Sequence, residues 1–281
     1  MSKSMQSNGY QDREAGVLAL AVAAMAGIAL VACAPDAGGT GADAAIMDTS
    51  GAGREMPSLY VDRTVTVLEA DGGNAALEGY RQALASCQEA GLPTRPLAEE
   101  DAARIGTERW QLWRTSGQAA YRVEEWGYTS GDSARQEHCL FQPSRSGYHE
   151  FFDATQSLVL DLESGSKDVQ PANPDEIEVM PLEATDAESV AGWSGPRERV
   201  VQGQPCLEWR SADGAVVCHW SGGAQWGFDA AHAGQFESSL GLDRYNLVLE
   251  AAPAPGQAGS RLSTEQFVVN GPIDTAAMRP E

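Results

Sequence analysis

The sequence predicts an α+β fold: a mainly antiparallel, curved β-sheet with one or two packed helices, after an N-terminal signal helix and a disordered linker. Three observations lead there. From Glu108 onward apolar residues recur with a period of two between turns of Gly, Ser and Pro, which is strand and hairpin patterning. Residues 74–90 carry a helical period instead, opened by Asn74 and stopped by Gly91. Residues 15–33, AGVLALAVAAMAGIALVAC, form a small-residue apolar run set apart from the acidic remainder.

That run has the parts of a secretory signal: a polar start with Lys3 and Arg13, an apolar core and a small residue at its end. Its last four residues, Leu30-Val31-Ala32-Cys33, resemble the bacterial lipobox. The resemblance implies that Cys33 takes a diacylglyceryl thioether and, after cleavage, an N-acyl chain such as palmitate. Several acyl chains anchor firmly where one does not. Ala34 follows the cysteine rather than Asp, which in such lipoproteins implies export to the outer membrane, on its periplasmic or its surface face. The organisation expected is a signal peptide (1–32), a lipidated cysteine with a flexible tether (33–57) and one globular domain (58–281). The tether, APDAGGTGADAAIMDTSGAGREMP after Cys33, has almost nothing to bury.

The chain holds 40 acidic and 19 basic residues, a net charge of −21. Lys3 and Arg13 are offset by Asp12 and Glu14, so the charge lies beyond the leader. Such a surface repels nucleic acid and anionic headgroups. The partners expected are therefore the membrane, through the anchor, and a protein or hydrophobic ligand, with no nucleic acid and no cofactor.

Without Cys33, four cysteines remain: Cys87, Cys139, Cys206 and Cys218. In an exported chain they predict two disulfides. The doublets His138-Cys139 and Cys218-His219 also allow a metal site, but adjacent strand residues point to opposite faces, so one ion does not readily take both. Residues 203–222 read as a hairpin with Asp213-Gly214 at its turn. A two-residue loop puts Cys206 and Cys218 on opposite faces. A three-residue loop, Ala212-Asp213-Gly214, puts them on one face as diagonal neighbours and permits a bridge. The expected pairs are Cys206–Cys218 and Cys87–Cys139.

In chain order, residues 58–69 read as a strand with Leu59, Val61, Val65 and Val67 on one face, interrupted by Arg63. The helix at 74–90 aligns Leu77, Tyr80, Leu84 and Cys87 on one stripe, and a short second helix follows at 97–105. Residues 109–115 and 118–126 form a hairpin about Ser116-Gly117. After a polar turn at 128–134 come strands at 136–142, 148–152 and 157–163, with 143–147 as a turn. Residues 167–198 form a long acidic loop with a strand or short helix embedded; hard oxygen ligands there would suit calcium, but the D-x-[DN]-x-[DN]-G pattern is missing. Beyond the hairpin, 224–228 begins a strand, 230–239 is helical, 244–251 and 260–270 pair antiparallel, and 272–281 trails off.

The G-x-x-C hairpin at 203–220, the late strand at 262–269 and the closing Pro272-Ile273-Asp274-Thr275-Ala276-Ala277-Met278-Arg279-Pro280 resemble the exported half-barrel lipoproteins and carriers of the LolA/LppX-like superfamily. The resemblance covers residues 108–281. It implies a strongly curved antiparallel sheet, half-barrel-like, with helices over its concave face and a cavity for acyl chains; it does not imply catalysis. Trp110, Trp113, Trp126, Trp209, Trp220 and Trp226 lie on or beside the expected strands, where aromatics mostly serve ordinary packing.

Catalytic signatures are missing: no G-x-S-x-G, S-x-x-K or H-E-x-x-H. His149-Glu150 and Glu124-Glu125 are the doublets available for acid/base work. The expectation is a non-enzymatic cell-envelope lipoprotein with a structural or protein-docking role. The alternatives are a hydrophobic-ligand (acyl chain or lipid) binder and an envelope enzyme with an unrecognised site. A packed or an open concave face separates the first two.

Overall fold

The computed structural model describes residues 56–130, 138–172, 192–223, 226, 228 and 247–281. All of them lie in one compact unit, Ala44–Glu281. The expectations for the leader, the tether, the middle of the acidic loop and residues 229–246 fall outside the described residues; of the strand expected at 224–228, Trp226 and Phe228 are described, and both donate their N–H to Gly223 O in a turn.

Twelve described strands form one sheet: β1 (Leu59–Leu68), β2 (Thr94–Arg95), β3 (Thr107–Arg114), β4 (Gln118–Ser130), β5 (Cys139–Asp153), β6 (Gln156–Asp161), β7 (Lys167–Pro171), β8 (Trp193–Val201), β9 (Gln204–Ser211), β10 (Val216–Trp220), β11 (Val248–Ala252) and β12 (Gly259–Val269). Their order is β7-β6-β5-β4-β3-β1-β12-β11-β10-β9-β8, antiparallel throughout, and β2 pairs parallel with β5 at its start. The sheet is thus two meanders, β3–β7 and β8–β12, joined by β1.

The sheet is open and curved. If it were flat, β3 and β10 would lie about 19 Å apart, four strand spacings. Instead Phe228 bridges them: its ring is 5.2 Å from that of Trp220 on β10 and lies under the Arg114 guanidinium of β3 at 6.0 Å. Trp220 also meets Phe267 of β12 at 4.9 Å, across β11. Side chains of separated strands meet only if the sheet curls toward the face that carries them.

Helix α1 (Ala75–Glu89) starts where the capping rule puts it: the Asn74 side chain accepts from Leu77 N at 3.0 Å and donates to Ile105 O at 2.7 Å. Its apolar stripe gives Leu77, Tyr80, Ala83, Leu84 and Cys87 to a cluster with Leu97, Ile105, Tyr128, Cys139 and Phe141. Helix α2 (Glu99–Arg104) is shorter than the sequence implies and buries none of its residues.

Several readings need correction; residues 128–130, expected in a polar turn, are the end of β4 and pair with β5. Residues 143–147 are not a turn, because β5 runs unbroken through them. Cys139 N donates away from β4 to Pro93 O, and Gly147 O accepts from Leu162 N, so odd-numbered β5 residues turn their backbone groups outward. Pro143 therefore lacks its N–H on the side where, between β2 and β6, no described strand sits. Gly147, at φ +117, passes where a Cβ would come within 2.1 Å of Val123 O.

The acidic stretch 167–198, expected as a loop with a strand or short helix embedded, is strand at both described ends, β7 and the start of β8. The two described helices, α1 and α2, do not cover the face that curls in. The pairings put Cys139, Phe141 and Tyr128, which they contact, on the opposite face of β4 and β5 from Tyr121 and Phe152. Finally, the C-terminal tail does not trail off. A single 3₁₀ turn, Ala276–Met278, drives Met278 (0% exposed) into a cluster with Trp113, Ala120, Phe151 and Leu158, and Arg279 lies over Phe151 at 5.4 Å. Apolar residues here are too few to flag a packed tail, yet one methionine finds a four-residue socket built by distant strands.

Met278→Ala removes a fully buried side chain and should cost about 2–5 kcal/mol. Urea unfolding of the variant checks this, and an unchanged midpoint would show the tail to be dispensable.

Candidate functional site

The densest group of buried polar side chains lies in rows across β1, β3, β4 and β5. Asp62, Gln111, Arg122 and His149 stand opposite one another in successive strands. The neighbouring row sets Arg109 opposite Glu124. Asp62, Gln111, Glu124 and His149 are all buried. Arg109 Nε donates to Asp62 Oδ1 at 2.9 Å, in a bidentate pair that holds the guanidinium protonated above its ordinary range. Arg122 pairs with Glu124, and Arg145 joins it at 3.3 Å. Gln111 Nε2 donates to Tyr60 Oη at 2.8 Å, and Tyr60 donates to Asp62 Oδ2 at 3.2 Å. Burial, then the Asp62 charge, pushes the Tyr60 phenol up, so it stays neutral.

His149 closes the row. Its ring stacks on Trp113 at 5.9 Å and lies near the Met278 backbone. Burial, and after it the Arg122 charge, pushes its pKa down to about 4. Nε2 is buried and has no hydrogen-bond partner. The imidazole is therefore neutral at physiological pH and lies beneath the C-terminal turn.

The doublets singled out in the sequence are pulled apart by the pleat. His149 faces Arg122 in the row, while Glu150 stands opposite Tyr121 on the other face. Glu124 is buried between arginines; Glu125 is exposed and opposite Glu108. Burial, opposed by a hydrogen bond from Trp110 and reinforced by the Glu125 charge, raises the Glu108 pKa.

The cysteines form two disulfides, Cys87–Cys139 and Cys206–Cys218. Cys206 lies opposite Trp220 and Cys218 opposite Glu208, a register that Ser211 closes against Ala215 around a three-residue loop with Gly214 at φ +99. With the sulfurs joined to each other, neither His–Cys doublet offers a thiolate to a metal. Among the described residues no group of three or more His, Cys, Asp or Glu is placed to hold a metal ion. No described helix is long and apolar enough to cross a membrane. Cys33 lies outside the described residues.

The face that curls in is filled where it is described. Leu59, Val61, Leu112, Ala119, Tyr121, Phe152, Cys206, Cys218, Trp220, Trp226, Phe228, Leu247, Leu249 and Phe267 form one cluster, each at most 8% exposed. Beside them a second cluster gathers Val65, Trp110, Val123, Trp209, Val217 and Leu262. Arg63, which breaks the apolar stripe of β1 in the sequence, is 1% exposed among these residues. Its Nη1 donates to Val248 O at 3.1 Å and its guanidinium lies 5.7 Å over Trp110. Desolvation lowers its pKa to about 10, so it keeps its charge. Two described grooves lie elsewhere, on either side of Leu140 and Phe141. One, of about 260 Å³, is lined by Arg95, Leu97, Asp101 and Pro143. The other, of about 270 Å³, is lined by Ala83, Ser86, Leu92, His138 and both sulfur-bearing residues Cys87 and Cys139.

The sequence reading missed the polar rows because their members are spread over four strands and only pairing aligns them. The single local signal was the Asp62-Arg63 interruption of β1. No protein-family model and no curated protein matches the chain.

Since the native pKa of His149 lies below the ordinary 6.5, the unfolded chain binds its proton between pH 6.5 and about 4 and the folded chain does not. Stability contributed by the neutral ring is full above 6.5 and declines as pH falls to about 4, by about 3 kcal/mol. Urea titrations at stepped pH should show this slope reduced in His149→Gln.

Proposed function

We propose that this chain is a lipid-anchored, non-enzymatic protein of the bacterial cell envelope, attached to the outer membrane through Cys33, with a structural or protein-docking role. The observation that carries this reading over that of a hydrophobic-ligand carrier is the packing of the described part of the inward face. Trp226, Phe228 and Phe267 each pack on Trp220 on that face, where the half-barrel resemblance would put an acyl chain. Close-packed aromatic side chains of this kind yield to a ligand only by rearrangement. The two disulfides support the exported half of the reading, because such bonds persist in oxidising compartments. Against catalysis stand the saturated pairing of Asp62 and Glu124 with arginines and the cover over His149.

Cys33→Ser tests the anchor: the variant should leave the membrane fraction and should not undergo the mass change that lipid brings. If it still partitions with membranes at the parent's mass, the assignment fails. Native mass spectrometry of the protein released from membranes should show the polypeptide without non-covalent lipid. A stoichiometric lipid adduct would favour the carrier reading instead.

A further inference from the structure

The two disulfides differ in access. Cys206 and Cys218 are 1% and 0% exposed within the inward cluster. Cys87 is only partly buried, and its bond to Cys139 lines the groove of about 270 Å³ between α1 and the start of β5. The walls of that groove are small on the helix side, Ala83, Ser86 and Ala90, with Leu92, Ser130 and His138 around the rest.

The bond also does a job that little else does. Tyr80 is the one buried residue of α1. It inserts between Tyr128 and Phe141 at 5.2 and 5.3 Å and accepts from Leu97 N at 2.9 Å. The remaining stripe, Leu77, Ala83, Leu84 and Cys87, is only partly buried. A helix with so small a buried face is marginal alone, since helical stability in proteins comes mainly from packing. The Asn74 cap holds its first turn and the Cys87–Cys139 bond holds its last.

We propose that Cys87–Cys139 is a thiol–disulfide exchange site, entered through this groove, whose reduction by a dithiol undocks the C-terminal half of α1 from the sheet. One thiolate of the reductant attacks Cys87 Sγ, the more accessible sulfur, and the S–S bond breaks with its electron pair leaving on Cys139. That thiolate takes a proton from solvent. The second thiol of the reductant, as thiolate, displaces Cys87 from the mixed disulfide, and Cys87 is protonated in turn. The dithiol is oxidised to a disulfide and the protein gains two thiols. Undocking opens the groove wall of Ala83, Ser86, Cys87 and Ala90 and uncovers the apolar side chains beside it, Leu92, Leu140 and Phe141. The Cys206–Cys218 bond, sealed in the inward cluster, stays intact under the same conditions.

The test uses the full chain and dithiothreitol at neutral pH, with iodoacetamide trapping and mass spectrometry to place each thiol. Cys87 and Cys139 should be alkylated at least about tenfold faster than Cys206 and Cys218. Amide exchange over residues 80–89 should rise at least about tenfold on reduction, with β9 and β10 unchanged. The Cys87→Ala/Cys139→Ala chain should show that exchange pattern without reductant and no further change with it. Ser86→Trp, an exposed position on the groove wall, should slow alkylation of Cys87 at least about threefold. Equal reduction of both bonds overturns the proposal. So does an α1 that stays protected after reduction, a rise in exchange spread uniformly over the sheet, or a Ser86→Trp chain reduced at the parent rate. The reduction experiment on the parent chain stands even if the double variant fails to fold.

Discussion

The pairing of β1 with both β3 and β12 is the constraint on which the sheet depends. Each meander is local, built from strands adjacent in the chain, but among the described residues they become one sheet only through β1. Leu59 is set against Val269 on one side and Arg114 on the other, so the beginning and end of the described chain must meet before either ladder is complete. Contacts this distant in sequence carry the loop-closure cost before they return any packing. The return is burial: Leu59, Val61 and Val65 are 0–2% exposed in the middle of the two inward clusters.

The seam also explains where the buried charges lie. Asp62 and Arg63 are both buried, so their charges must be satisfied within the fold. Asp62, on one face, is met by Arg109 and Tyr60. Arg63, on the other, is met by a carbonyl and by the face of Trp110. A shift in the β1–β12 register falls between these two residues. Such irregularities bend a strand and re-aim its side chains, and here the break coincides with the step from a polar row to an apolar one.

Covalent bonds and small caps secure what the sheet does not hold by itself. Cys206–Cys218 lies inside the inward cluster, where it acts as a packed apolar group as much as a cross-link. Cys87–Cys139 ties a mostly exposed helix to β5. The C-terminal turn is held by Met278, which packs against Trp113, Ala120, Phe151 and Leu158 beside His149. The proposed docking role and the proposed exchange site thus rest on different parts of the molecule, a filled face and a loosely held helix.

Local pattern was enough to read much of this chain. The period of two located most of the strands, Asn74 and Gly91 bounded α1, and the turn at Ala212-Asp213-Gly214 set the register that lets Cys206 reach Cys218. These features are legible because each depends on residues a few positions apart. Pro143 and Gly147 misled, since their usual meaning is a turn, and only the flank of β5 without a described strand and the nearness of Val123 make them strand residues. The polar rows, the socket for Met278 and the filling of the inward face were not legible. Each is assembled from strands far apart in sequence, and which side chains meet there is decided by pairing and curvature that no local pattern encodes.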